Sequence, residues 1–316
     1  MSGAEPRPRP EPVPDPHPAA EAPPIGFAAG LVRTARPRQW IKNLLVFAAP
    51  GAAGVLTHGT ALGRSVVAFA VFCLASSGTY FMNDVFDRDV DRLHPDKRHR
   101  PVAAGVVGRR AAALSAALLL AGSIGLGVAL LGREFALAVG VYAGINLAYS
   151  VWLKREPILD LAAVASGFLI RAIAGGLAVG VPLSNWFLIV ASFGSLFMVA
   201  GKRQVDHREL ELAGIGHRGA LGAYSQQFLR FIRGMSAGIA ITAYCLWAFE
   251  KASLAPHGDI YFELTIVPFV LAILRYALLL EGGAGGSPED VVLRDRTIVA
   301  LGVVWAALFA AGVYGT

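Results

Sequence analysis

Long apolar runs separated by short polar segments recur from Trp40 to the end of the chain. A bilayer core about 30 Å thick takes roughly 20 apolar residues per helical crossing. The pattern therefore predicts nine membrane-spanning helices, at about 40–57, 62–82, 110–130, 134–152, 158–180, 184–201, 226–249, 260–280 and 296–314. Residues 1–26 carry no apolar period and are rich in Pro, Glu, Asp, Ala and Arg, the composition of a disordered tail. They lack an apolar h-region, so the tail is expected to be retained rather than cleaved. The rest, 33–316, reads as one all-α membrane bundle.

Composition agrees: 55% of the 316 residues are hydrophobic, 36 are glycine and 16% are charged, with a mean hydropathy of +0.56. Little is left for a soluble domain. A net charge of +6 would suggest nucleic acid in a soluble protein. In a multi-span chain it reports topology instead, and no nucleic-acid partner is expected. With the tail placed in the cytoplasm, only Arg64, Arg133 and Lys251 fall on the opposite side, and Arg171, Arg230, Arg233 and Arg275 fall inside spans. The remaining Lys and Arg are cytoplasmic, which puts the N-terminus inside and the C-terminus outside the membrane. Cys73 and Cys245 lie in apolar stretches and read as packing residues.

Every polar loop then lands on one face, and the strongest chemical signal is there. Asn83-Asp84-Val85-Phe86-Asp87-Arg88-Asp89-Val90-Asp91 follows the second span directly. On a helix, Asp84, Asp87 and Asp91 share an arc of about 60°, Asn83 widens it to about 100°, and Asp89 points away. Three carboxylates on one face repel each other unless a cation sits among them. All-oxygen donors suit Mg²⁺, which usually bridges to substrate phosphates. The alternative is a solvated acidic helix end.

The basic run Asp96-Lys97-Arg98-His99-Arg100-Pro101 follows within about ten residues. Alone it fits a topology determinant or headgroup anchor. Beside carboxylates, Lys97, Arg98 and Arg100 become candidates for the phosphate oxygens of a metal–diphosphate. Tyr149, Ser150, Lys154 and Asp160 bridge the fourth and fifth spans on the same side. Asp160, Val164, Gly167 and Arg171 share a helical face, with Arg171 roughly 20 Å from its start. A cation so deep needs a polar cavity or a buried partner. Lys42, in the run Arg36-Pro37-Arg38-Gln39-Trp40-Ile41-Lys42-Asn43, and Lys202-Arg203 complete the rim, each as interfacial anchor or phosphate ligand. Gly285-Gly286-Ser287-Pro288-Glu289-Asp290 reads as a helix start with Ser287 as cap and Pro288 in the first position.

The Asn-Asp-x-x-Asp-x-x-x-Asp run, the nine apolar spans and the second polar motif together resemble the intramembrane UbiA-type prenyltransferase superfamily over residues 33–316. Lys42 to Phe47, His94 to Pro101, Gly201-Lys202-Arg203 and Gly285 to Glu289 resemble its decaprenyl-phosphate phosphoribosyltransferase branch. The resemblance implies Mg²⁺ held by Asn83, Asp84, Asp87 and Asp91. It also implies transfer of 5-phosphoribosyl from 5-phosphoribose 1-diphosphate to a polyprenyl phosphate for cell-wall arabinan. The oligomeric state stays open. Most superfamily members carry a second Asp-x-x-x-Asp motif; here Val164 replaces its second acid. Asp160 is then either half of a second metal cage or, as favoured here, an acceptor for ribose hydroxyls or an orienter of Lys154. An aromatic or haem prenyltransferase is the nearest alternative. A cation transporter would need its carboxylates at mid-membrane.

Overall fold

The computed structural model describes residues 26–94, 97–212, 219–254, 259–283 and 288–314. The tail, but for Gly26, and the cap Ser287 lie outside these residues. The regular elements of the described residues are all helical: α1 Phe27–Ala35, a 3-10 segment Pro37–Phe47, α2 Ala48–Ala52, α3 Gly59–Arg92, α4 Arg109–Leu130, α5 Arg133–Val151 and α6 Leu159–Val179. There follow α7 Asn185–Leu212, α8 Gln226–Leu254, α9 Asp259–Leu264, α10 Ile266–Glu281, α11 Pro288–Arg294 and α12 Arg296–Tyr314. Eight helices among the described residues are long and apolar enough to cross a membrane, with α9 and α10 counted as one from Ile260. The exposed Leu114, Leu118, Leu271, Leu278 and Val303 mark their lipid-facing sides.

The expected first span, 40–57, is not one α-helix: only Ala48–Ala52 of it is α-helical, between two 3-10 segments. The first of these runs antiparallel to α3, with Arg36 against Asp84, Trp40 against Ser77, Asn43 against Ser76 and Phe47 against Phe69. Eleven residues thus match about 22 Å of α3, the roughly 2.0 Å rise per residue of a 3-10 helix. Such a run is unusually long, and buried side-chain bonds stabilise it. Asn43 is fully buried; its amide donates to Ser76 Oγ (3.2 Å) and Cys73 Sγ (3.3 Å), and its carbonyl accepts from Arg171 Nε (2.7 Å).

Arg171 also donates to Gly167 O at 2.7 Å and Tyr142 OH at 2.9 Å, and its guanidinium lies 4.7 Å from the centroid of the Tyr142 ring. Its cost in the membrane is therefore met by neutral acceptors and aromatic faces rather than by a buried ion pair. Arg171 ties the 3-10 segment, α5 and α6 together. Gly175 of α6 lets that segment in, because a Cβ there would lie 1.9 Å from Val46 O. Gly175→Ala is therefore expected to lower stability by about 1 to 3 kcal/mol, as overpacking does, measured as a fall in Tm of the detergent-solubilised protein. A Tm equal to that of the unsubstituted protein would count against this contact.

Consecutive helices pack as neighbours from α3 through α8, and α12 packs on α9, α10 and α11. At the far end Gly54, at φ +72°, turns the chain beside Val313 of α12, so the first and last segments meet. Arg64 ties the start of α3 to the far ends of α6 and α4, donating to Ala178 O at 2.5 Å and Leu131 O at 3.1 Å. The expected 260–280 span is interrupted at Thr265. Pro268 lacks the N–H that would continue an α-ladder, and its ring opposes the carbonyl four residues back. Here the Thr265 hydroxyl accepts from Tyr244 OH (2.7 Å) and donates to Phe262 O (2.5 Å). At α12, Asp295 caps the helix through Ile298 N–H at 2.9 Å, and hydrogen bonding from Arg275 holds its carboxyl below the usual range.

Candidate active site

Two helices outrun their apolar spans at the polar end of the bundle. α3 continues as helix to Arg92 and α7 to Leu212, carrying their ionisable residues on rigid turns. The face argument for α3 holds. Asp84 and Asp91 are 2% and 3% exposed, Asp87 is half-buried, and Asp89 is exposed.

Each inward carboxylate meets a cation from another element. Asp84 Oδ1 lies 2.5 Å from Arg36 Nη2 and 3.6 Å from Arg100 Nη1, Asp91 Oδ2 lies 2.8 Å from Arg100 Nη1, and Asp87 pairs with Lys154. Asn83 is hydrogen-bonded to Ser150. Among the described residues, no three carboxylate, imidazole or thiolate groups converge as a metal cage. The donor chemistry fits a hard cation all the same. The face presents oxygen from four side chains, and the side chains of Arg36, Arg100 and Lys154 are 26–30% exposed, so each can turn away into water.

A second cluster brackets the same α5–α6 link. Arg203 of α7 grips Asp160 in a fork, Nε to Oδ2 at 2.9 Å and Nη2 to Oδ1 at 2.8 Å. Tyr149 OH accepts from Arg203 Nη2 at 3.0 Å and donates to Asp160 Oδ1 at 3.1 Å. Both Asp160 oxygens are thereby engaged, and Lys154 lies on Asp87, so the expected Asp160–Lys154 contact is not formed. The neighbouring Ile158 sits at φ +70°, strained for a β-branched residue. Its N–H donates to Tyr224 OH at 2.7 Å, which fixes where α6 starts. Burial pushes the Tyr224 phenol above its ordinary pKa.

Asn83, Asp84, Asp87, Asp91, Arg100 and Lys154 are thus one cluster, and Tyr149, Asp160 and Arg203 another. Lys202 stands beside the second, 3.3 Å from Asp206, which Arg203 also approaches at 3.4 Å. Lys97 and Arg98 are exposed on the loop, with Arg98 bonded to His99. Lys42 lies half-buried on the 3-10 segment. Ser150 and Arg36 stood in the polar runs read from sequence, but not as the partners of Asn83 and Asp84 that they are here. Proximity in the chain to Pro37 and Tyr149 was the available signal, but long-range pairing selected them.

A large apolar cavity, about 570 Å³, lies between the 3-10 segment and α8, α10 and α12, lined by Leu44, Phe47, Trp247, Phe269, Trp305 and Phe309 among others. A second, about 450 Å³, lies among α6, α7 and α8.

Residues 44–301 match the UbiA prenyltransferase family. A Mycolicibacterium smegmatis protein named decaprenyl-phosphate phosphoribosyltransferase is 43% identical, over 92% of this chain and 95% of its own. One of the same name from Corynebacterium glutamicum is 41% identical, over 92% and 89%. Among solved structures, a UbiA homologue from Archaeoglobus fulgidus bound to GPP and Mg²⁺ superposes with a TM-score of 0.69. It covers 91% of this chain and all of that one at 20% identity, a likeness of fold.

Proposed function

The chain belongs to the UbiA prenyltransferase family, and from that premise we propose that it transfers 5-phosphoribosyl from 5-phosphoribose 1-diphosphate to a polyprenyl phosphate, releasing diphosphate. The observation that carries this reading is the meeting of three carboxylates with three cations at one end of α3. It occurs in a chain that aligns along 92% of its length with relatives named for that reaction on decaprenyl phosphate.

Asn83, Asp84, Asp87 and Asp91 are the residues that would hold a divalent cation, Mg²⁺ in this reading, and it would supply positive charge to the leaving diphosphate. Arg100, which bridges Asp84 and Asp91, stands where a guanidinium can take further phosphate oxygens. Charge growing on the diphosphate as the C1–O bond breaks is thereby stabilised, while C1 becomes oxocarbenium-like. The acceptor phosphate is already anionic near neutral pH, so no general base is required. The aromatic-lined cavity offers the polyprenyl tail an apolar route beside the 3-10 segment. The donor is soluble and anionic, which places the polar end at the cytoplasmic face of the plasma membrane, with the N-terminus inside and the C-terminus outside. The lipid product serves cell-wall arabinan synthesis in this reading.

The test is whether purified protein with Mg²⁺ moves labelled phosphoribose from the donor into an organic-extractable lipid when given decaprenyl phosphate. Labelling is expected; transfer of an isoprenoid from its diphosphate to an aromatic acceptor instead would overturn the assignment.

The donor's 5-phosphate needs cations beyond those serving the diphosphate, and Lys42, Lys154 and Lys202 are assigned to it, with Arg98, Arg100 and Arg203 as near alternatives. Lys154, paired with Asp87 on the acidic face, is the first of these to test, and the exposed Arg98 the last. Lys154→Met is expected to raise the donor KM about tenfold or more and leave the lipid KM within about twofold. Arg98→Gln, on the exposed loop, should change neither much. Equal losses for both substrates at Lys154 would argue against a donor contact.

A further inference from the structure

Arg36 combines three observations that a simple surface ion pair does not share. Its backbone is left-handed, φ 53° and ψ 61°, immediately before Pro37, where a non-glycine residue is strained. Its guanidinium lies 4.9 Å from the centroid of the Tyr80 ring, one helical turn before Asp84. Its Nη2 is 2.5 Å from Asp84 Oδ1, with the carboxylate side chain 2% exposed and the arginine 29% exposed. The backbone conformation and the ring therefore aim a water-accessible cation at a buried anion.

Arg100 divides itself between Asp84 (3.6 Å) and Asp91 (2.8 Å). Among the described residues Arg36 has an ion pair with Asp84 alone. A divalent cation reaching Asp84 must displace a cation, and Arg36 is the one that can leave without stripping Asp91. Once displaced it stays over Tyr80 at the mouth, and its planar fork suits the oxygens of a diphosphate. We propose that Arg36 is an exchangeable counter-charge. It neutralises Asp84 until a metal–diphosphate arrives and then turns to the diphosphate, so that metal and donor bind together rather than separately. This rests on the reading above, in which Asp84 holds the metal and the donor carries a diphosphate.

The two halves of the exchange have opposite signs on substitution, which a merely structural role would not produce. Mn²⁺ binding to the full-length protein in detergent is measured by electron paramagnetic resonance, with and without inorganic diphosphate. Arg36→Gln removes the competitor and is expected to tighten Mn²⁺ alone by about tenfold, yet weaken diphosphate in the presence of Mn²⁺ by at least about tenfold. Arg36→Lys keeps the charge but loses the fork. It should bind Mn²⁺ alone like the unsubstituted protein and still bind diphosphate less well. Should Arg36→Gln fail to fold, Tyr80→Leu, which leaves Asp84 intact, should leave Mn²⁺ alone within about twofold and weaken diphosphate several-fold. Unchanged or weaker Mn²⁺ binding in a folded Arg36→Gln, or unchanged diphosphate binding in Tyr80→Leu, would overturn the exchange. Asp84→Asn separates this from the premise. If it leaves Mn²⁺ binding untouched, the metal assignment itself fails whatever Arg36 does.

Discussion

Asp84→Ala, Asp87→Ala and Asp91→Ala are each expected to lower kcat/KM by at least about a hundredfold, with Asp89→Ala within about threefold of the unsubstituted protein. The first three share the inward face of α3, where each carboxylate meets a cation from a different segment. Asp89 is exposed on the opposite side. A loss of that size has to come from the site rather than from unfolding. Removing one partner of a fully buried pair costs about 3 to 5 kcal/mol because the other is stranded. Here the stranded partners, Arg36, Arg100 and Lys154, keep access to water and can rehydrate, so the stability cost is much smaller. Steady-state kinetics alongside thermal melting of each variant checks this, and chelation of divalent metal should abolish turnover of the unsubstituted protein. An Asp89→Ala variant as inactive as the others would sink the helical-face argument.

Asp160→Asn should lower kcat/KM by about one to two decades, the effect of losing a charged hydrogen bond worth about 1.5 to 3 kcal/mol, without moving the Mg²⁺ concentration for half-activity. The substitution preserves shape but removes the charge that Arg203 grips through two parallel bonds, and it turns one acceptor into a donor facing the guanidinium. In the proposed reading Asp160 would act on the donor through Arg203 and Tyr149, both of which it bonds. The measurement is therefore a double-mutant cycle with Arg203→Gln, in which the paired loss should fall well short of the sum of the two singles. A large shift in the Mg²⁺ requirement would make Asp160 a metal ligand, and full additivity would separate it from Arg203.

Much of the site was legible because helical periodicity is a local property. Asp84, Asp87 and Asp91 fall on one face of any α-helix drawn through them, and an apolar run before them says that this helix emerges from a membrane. The roles of the basic residues were less legible. Lys97, Arg98 and Arg100 look equivalent in a row, yet only Arg100 reaches the carboxylates, because a side chain's partner depends on how a loop folds back. Arg36 could be seen as part of a basic run but not as the partner of a residue 48 positions away.

Hydrophobic patterning alone determined that the chain is an all-helical membrane bundle and where most of its crossings lie, since lipid permits no other solution for runs so long and so apolar. Tertiary structure decided what apolarity does not encode. Residues 40–57 are as apolar as a span should be, but side-chain bonds to α3 and α6 through Asn43 and close backbone approach at Gly175 draw their first part into a 3-10 helix. The deep cation Arg171 could be recognised as costly from its position. That its partners are Asn43, Tyr142 and a backbone carbonyl depends on three segments meeting in space. Asp160 likewise became the holder of Arg203 through packing of α6 on α7, because the choice between a substrate, a metal and a neighbouring guanidinium rests on distances that no sequence spacing contains.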